Sequence, residues 1–215
     1  MMKVLIAMSG GVDSSVAAKL LCDEGYECIG CTMKLYDNCD AGLPRGRTCC
    51  SLDDVEDARS VAFSLGMRYY VFNFKDDFHE KVIKKFASCY LRGQTPNPCI
   101  DCNRYMKFDK LFERAKLLGC DKIATGHYAR IEFDGEKYRL KKALDKSKDQ
   151  SYVLYMLTQE QLAHALFPLA PEKAQKRPVH QFMISMRLRA MIVTFSAAGS
   201  PSLPASSMLL QRHCE

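Results

Sequence analysis

Two short stretches of the chain hold residue types that do chemistry. The first is Ser9-Gly10-Gly11-Val12-Asp13-Ser14-Ser15, between an apolar run and a segment of helical spacing. A helix N-terminus offers unpaired N–H groups and the positive end of the helix dipole, and together these favour an anion. Gly10 and Gly11 let the backbone approach ligand oxygens and adopt positive φ. Ser9, Ser14 and Ser15 are expected to add hydroxyl donors, and Asp13 can hold Mg²⁺ against phosphates. No Gly-Lys-Ser/Thr follows, so the turn is not a Walker A loop, and the three-glycine dinucleotide fingerprint is missing too. An ordinary tight turn with an N-capping serine is the plain alternative.

The second stretch runs from Gly93 through Thr95-Pro96-Asn97-Pro98-Cys99-Ile100-Asp101-Cys102 to Phe108. Two prolines so close exclude a helix interior, so a rigid loop is expected to present Cys102 just before a helix over Tyr105–Leu118. A thiol at a helix N-terminus beside Arg104 and Lys107 has its thiolate favoured and becomes nucleophilic. Three other readings stay open. Cys102 could be a buried structural residue. Cys99 and Cys102 have zinc-ligand spacing, with Cys49-Cys50 able to complete a set. A dithiol redox pair fits the surroundings less well.

The elements that must position these groups alternate. Lys3–Ala7, Glu27–Met33, Tyr69–Phe74 and Lys122–Thr125 read as strands, and Ser14–Glu24, Leu52–Leu65, Asp76–Leu91 and Tyr105–Leu118 as helices. Ser51 with Asp54 resembles a capping box opening the second helix. This order argues for an α/β fold with a doubly wound, mostly parallel sheet. From Tyr128 the pattern becomes a hairpin, Tyr128–Phe133 and Lys137–Lys142, then short helices over Gln150–Leu157 and Gln159–Leu166. Residues 1–143 are read as a nucleotide-binding domain and 144–173 as the start of a helical region. Residues 174–215 form an atypical tail without Asp and with little periodicity.

Composition narrows the setting. The chain of 215 residues is 47% apolar, and no run approaches the roughly 18 residues of a membrane span. The apolar start is short and enters a glycine-rich turn rather than a cleavage site, so a cytoplasmic protein is expected, with no membrane partner. Eleven cysteines in such a chain suggest thiols, metal ligands or catalysis. Cys22, Cys28, Cys31, Cys89 and Cys120 sit in apolar elements and read as small hydrophobes. Of the net charge of +6, the tail supplies +4 through five Lys/Arg against Glu215, so nucleic-acid binding must come from local patches. Lys107, Lys141, Lys142, Lys146 and Lys148 could contact phosphates or simply form a solvated face. His127, beside Gly126, reads as structural more readily than as catalytic.

The heptad Ser9–Ser15 resembles the signature of N-type ATP pyrophosphatases, which cleave ATP between its α- and β-phosphates and adenylate a substrate oxygen. That resemblance implies an adenine-nucleotide alpha-hydrolase-like fold and nucleotide contacts from Ala7, Met8, Ser9, Gly10, Gly11, Val12, Asp13, Ser14, Met33 and Gly126. Met33 and Gly126 also suit the rule that ligands bind at the carboxyl ends of parallel strands.

The blocks Arg47–Ser51, Thr95–Phe108, Ala124–Arg130 and Lys148-Asp149-Gln150-Ser151-Tyr152 resemble the tRNA-specific 2-thiouridylases, in order and spacing from Lys3 to about Leu169. The resemblance implies that ATP and Mg²⁺ serve to adenylate the 2-oxo oxygen of a wobble uridine. Sulfur then arrives from a donor protein as a persulfide on Cys102, the catalytic thiol, and displaces AMP. Asn97, Pro98 and Cys99 would lie near the target base, and Lys148, Asp149 and Gln150 on the tRNA backbone. A disulfide bond is among the family's properties, and here it carries no assigned pairing. No metal site is implied, although members with cysteine at both loop positions suggest an iron–sulfur cluster on Cys99, Cys102 and a third cysteine. The family's second cysteine, in an Asp-Ser-Gln-Asp-Ile-Cys-Phe segment, is not found, and the family motifs end near Lys173. A shortened chain with a competent nucleotide site and deficient sulfur transfer is expected. An ATP pyrophosphatase for a small molecule, or a silent nucleotide- or cluster-binding fragment, are the alternatives.

Overall fold

The computed structural model describes residues 1–36 and 52–170. The capping residue expected at Ser51, the block Arg47–Cys50 and the tail from residue 171 lie outside them. Five strands form one parallel sheet in the order β3-β2-β1-β4-β7, made of β1 (Lys3–Ala7), β2 (Glu27–Lys34), β3 (Arg68–Asn73), β4 (Lys122–Ala124) and β7 (Ala165–Leu166). A separate antiparallel hairpin joins β5 (Ala129–Phe133) to β6 (Tyr138–Lys142), as the alternation around Asp134-Gly135 predicts. The α/β, doubly wound reading is therefore met.

The strand order changes direction between β1 and β4, which opens a crevice at their carboxyl ends. Val4, Leu5 and Ile6 are all fully buried, although successive residues of a strand point to opposite faces. The sheet is thus covered on both sides, as parallel sheets require. On one side α1 (Val12–Asp23) and α2 (Leu52–Ser64) pack against β1, β2 and β3. Leu5, Ile29, Met33 and Ile123 share a cluster with Val82, Met106, Leu111, Phe112 and Ala115 from the later helices.

The first of those later helical stretches covers the expected Asp76–Leu91, with a π segment inside it, and the second departs from the sequence reading. α3 (Lys75–Phe78) passes through a π-helical stretch (His79–Ile83) into α4 (Lys84–Leu91). α5 (Pro98–Asp101) continues through a wider π stretch (Cys102–Lys110) into α6 (Leu111–Leu117). The helix expected from Tyr105 therefore begins at Pro98. Proline is well suited there, because its missing N–H costs nothing in a first turn and its φ is preset. Asn97 caps that turn by accepting the Cys99 N–H at 3.0 Å.

Two further expectations are corrected. Gln150–Leu157 contains only a 3₁₀ turn (Ser151–Val153), and α7 (Gln159–His164), opened by a Thr158/Gln161 capping box, stops before Ala165. Ala165–Leu166 then pairs with Ile123–Ala124 as a fifth strand. A two-residue apolar strand has no periodicity to read, so only pairing with β4 defines it. Among the described residues no helix is long and apolar enough to cross a membrane.

Candidate active site

The Ser9–Ser15 turn leaves the carboxyl end of β1 and enters α1 at the switch point of the sheet. Gly10 has φ of 77°, and a Cβ there would fall 2.5 Å from the Asp54 carbonyl oxygen at the start of α2. Only glycine satisfies both demands. The serines divide their work differently from expectation. Ser15 is fully buried and donates to Gly11 O at 3.0 Å, and Ser14 donates to the same carbonyl at 3.0 Å while accepting the Ser9 N–H at 3.2 Å. These two hydroxyls shape the loop from inside, while Ser9 and Asp13 are the exposed polar residues of the turn, with Ser9 Oγ 3.4 Å from Ser14 Oγ. The carboxylate of Asp13 is a hard oxygen donor of the kind Mg²⁺ takes.

The neighbouring β4 closes the turn. Gly126, two residues beyond that strand, lies against the Asp13–Ser14 peptide, where a Cβ would stand 2.9 Å from Asp13 C and Ser14 N. Next to it, His127 Nδ1 lies 2.7 Å from Thr125 Oγ1, with the rings of Phe108 and Phe167 about its imidazole. Burial first, and the nearby Lys107 second, lower its pKa to about 3, so it is neutral at physiological pH. The structural reading of His127 fits that setting. Tyr128 donates to Asp13 Oδ1 at 2.7 Å, a bond between residues 115 apart that no spacing signal announces.

The floor beside the loop is set by β2. Thr32 donates to the Met8 carbonyl at 2.6 Å, and the Tyr69 hydroxyl donates to Thr32 Oγ1 at 2.6 Å. Met8 and Met33 are buried there, at the same end of the sheet as Ala7.

Cys102 occupies the second turn of its helix, at the start of the π stretch, and not the N-terminus where the sequence reading put it. Cys99, exposed, holds the first-turn position beside the Asn97 cap. The two thiols are three residues apart on continuous helix and so share a face. Arg104 turns its guanidinium to the Tyr105 ring, 5.1 Å from the centroid. Buried Asn103 donates to Val153 O at 3.2 Å, and Phe108 joins Ala129, Val153 and Leu154 in a second apolar cluster. Cys102 is therefore held on a helix anchored at both flanks. None of the seven described cysteines is in a disulfide, and burial pushes the Cys31 thiol up. Among the described residues no group of three or more His, Cys, Asp or Glu could hold a metal ion, so the cluster and zinc readings find no third ligand there; Cys49 and Cys50 lie outside.

The segment Lys148–Gln150 is folded back on the same neighbourhood. Lys148 places its ammonium over the Tyr128 ring, 5.3 Å from the centroid. Burial tends to raise the Asp149 carboxyl, but the Ala143 N–H at 2.8 Å and the Ser151 hydroxyl at 2.8 Å, both donating to it, together keep it below its ordinary range. Gln150 exchanges two hydrogen bonds with the Tyr128 backbone. Lys141 pairs with Glu132 across the hairpin.

The family model of the tRNA methyl transferase HUP domain matches residues 2–192. The chain belongs to this family. The match runs past Lys173, where the recognisable motifs end. Within this HUP-domain family, a tRNA-specific 2-thiouridylase of Caldanaerobacter subterraneus subsp. tengcongensis is 56% identical over 177 residues, 81% of this chain and 49% of its own length. That of Pelotomaculum thermopropionicum is 54% identical over 170 residues, 78% of this chain and 47% of its own. That of Clostridioides difficile is 53% identical over 184 residues, 84% of this chain and 51% of its own. This HUP domain thus spans about half the length of the curated relatives it matches.

Proposed function

We propose that the chain supplies the ATP-dependent activation step of tRNA uridine 2-thiolation and the first sulfur-bearing thiol. The observation that carries this reading is the Ser9–Ser14 turn at the end of β1, pressed by Gly126 just beyond the adjacent β4. A pyrophosphate fits such a cradle, because backbone N–H groups at the start of α1 meet it without side chains in the way. Asp13 would hold Mg²⁺, which would neutralise charge on the phosphates. Met8 and Met33 suit an adenine face.

In this reading the uridine 2-oxygen attacks the α-phosphorus, and pyrophosphate leaves. The outer sulfur of a persulfide on Cys102, delivered by a donor protein, then attacks C2, and AMP leaves. The S–S bond so formed must be cleaved by a second thiol to release 2-thiouridine. Fixing Cys102 through Asn103 and Phe108 supports attack by orientation, the cheapest source of rate for a two-substrate reaction. Asn97, Pro98 and Cys99 would meet the base, and Lys148–Gln150 the tRNA backbone. Residues 1–143 would hold the nucleotide unit and 144–173 open the tRNA-contacting region, with 174–215 as the atypical tail. A cytoplasmic setting goes with a tRNA substrate.

The test is pyrophosphate release with unmodified tRNA, comparing the chain with Cys102→Ser. Release that requires tRNA and survives the substitution, with thiolation lost, is expected. Absence of any tRNA-dependent release rejects the activation reading, and undiminished thiolation by Cys102→Ser rejects the nucleophile.

A further inference from the structure

Tyr128 is bonded on every side that links the nucleotide turn to the segment after the hairpin. Its hydroxyl donates to Asp13 Oδ1 at 2.7 Å. Its backbone N–H donates to Gln150 Oε1 at 3.1 Å, and its carbonyl accepts the Gln150 N–H at 2.9 Å. Its ring lies under the Lys148 ammonium. Two residues earlier, Gly126 is in backbone contact with Asp13 and Ser14, too tight for a Cβ. The segment 126–128 therefore touches the turn at two points and Lys148–Gln150 at three more.

We propose that Tyr128 is a positioning residue that transmits nucleotide occupancy of the Ser9–Ser14 turn to Lys148–Gln150. This rests on the reading of that turn as a nucleotide site. Asp13 is the exposed acid of the turn and the phenol's acceptor, so a nucleotide that reorients its carboxylate acts directly on Tyr128. A ring that follows it pulls on a backbone tied twice to Gln150. Burial, and then the bond to Asp13, push the phenol's pKa up, so it remains a donor across the physiological range. A coupling of this kind needs a physically continuous element biased at both ends, and the Asp13–Tyr128–Gln150 chain is one.

Amide hydrogen exchange of the full chain, with and without a non-hydrolysable ATP analogue and Mg²⁺, tests it. The parent should gain protection at residues 9–15 and also, by about fivefold as for modest inter-site coupling, at the Tyr128 and Gln150 amides. Tyr128→Phe keeps the ring and its backbone bonds. It should keep the protection at 9–15 and lose the remote response. Gln150→Met, which removes the side-chain bond at the other end and leaves the backbone one, should weaken the response at residue 150. A remote response that persists in Tyr128→Phe, or one missing from the parent while 9–15 are protected, overturns the coupling. Lack of protection at 9–15 in the parent overturns instead the nucleotide reading, and the coupling with it.

Discussion

Gly126 and Ser14 meet backbone to backbone, with room for a hydrogen on the glycine and for nothing larger: a Cβ would stand 2.9 Å from the Ser14 nitrogen. The Ser14 N–H belongs to the first turn of α1, among the donors that would face a phosphate. Gly126→Ala must push that turn aside. It should weaken binding of an ATP analogue by about tenfold, equivalent to ~1.4 kcal/mol, with the far-ultraviolet spectrum unchanged. Titration calorimetry measures this, and an unchanged affinity would show that β4 does not bear on the nucleotide.

The Asn97 cap governs where both loop thiols sit. Removing its side-chain oxygen leaves the Cys99 N–H without its 3.0 Å acceptor. Asn97→Ala should cost about 1 kcal/mol of stability, while Asn97→Asp or Asn97→Ser retains most of it. Denaturant unfolding gives the difference. Equal stability of all four proteins would mean that Pro98 alone starts the helix.

His127 makes folding pH-dependent in a defined window. Its pKa is lowered to about 3 in the fold by burial and by Lys107, against about 6.5 when unfolded. Below pH 6.5 the unfolded chain binds a proton that the folded chain refuses, so stability is full above that pH and falls as pH drops towards 3. Between pH 7 and pH 5 the loss should be of the order of 1–2 kcal/mol. His127→Gln, which can still bond Thr125, should flatten this part of the curve. A parallel pH dependence in the variant would assign the effect to other groups.

Asn103 is nearly inaccessible, its Nδ2 donates to Val153 O, and its Oδ1 has no hydrogen-bond partner. Asn103→Asp replaces the donor with a buried carboxylate facing a carbonyl. At pH 7 it should destabilise by about 3 kcal/mol or more. Lowering the pH to 5 should return part of that loss, because a protonated carboxyl can donate to Val153. Unfolding of parent and variant at the two pH values decides this, and a loss independent of pH would contradict it.

The sequence by itself determined the alternation of strands and helices and hence the parallel sheet, because apolar runs after glycine stops can be buried only in that way. It also marked the Ser9–Ser15 turn, whose glycines and position between strand and helix carry their chemistry locally. The hairpin was legible for the same reason, since Asp134-Gly135 and period-two residues act over a few positions. Tertiary structure alone decided what depends on contact between distant segments. The strand at Ala165–Leu166 exists only by pairing with β4. The helix of Cys102 starts about two turns early because Asn97 and Pro98 can cap it, and its π stretch has no sequence period of its own. Ser14 and Ser15 carry the same hydroxyl as Ser9, yet burial turns theirs inward to Gly11. The bond between Tyr128 and Asp13 joins residues whose separation of 115 conveys nothing until the sheet brings β1 and β4 side by side.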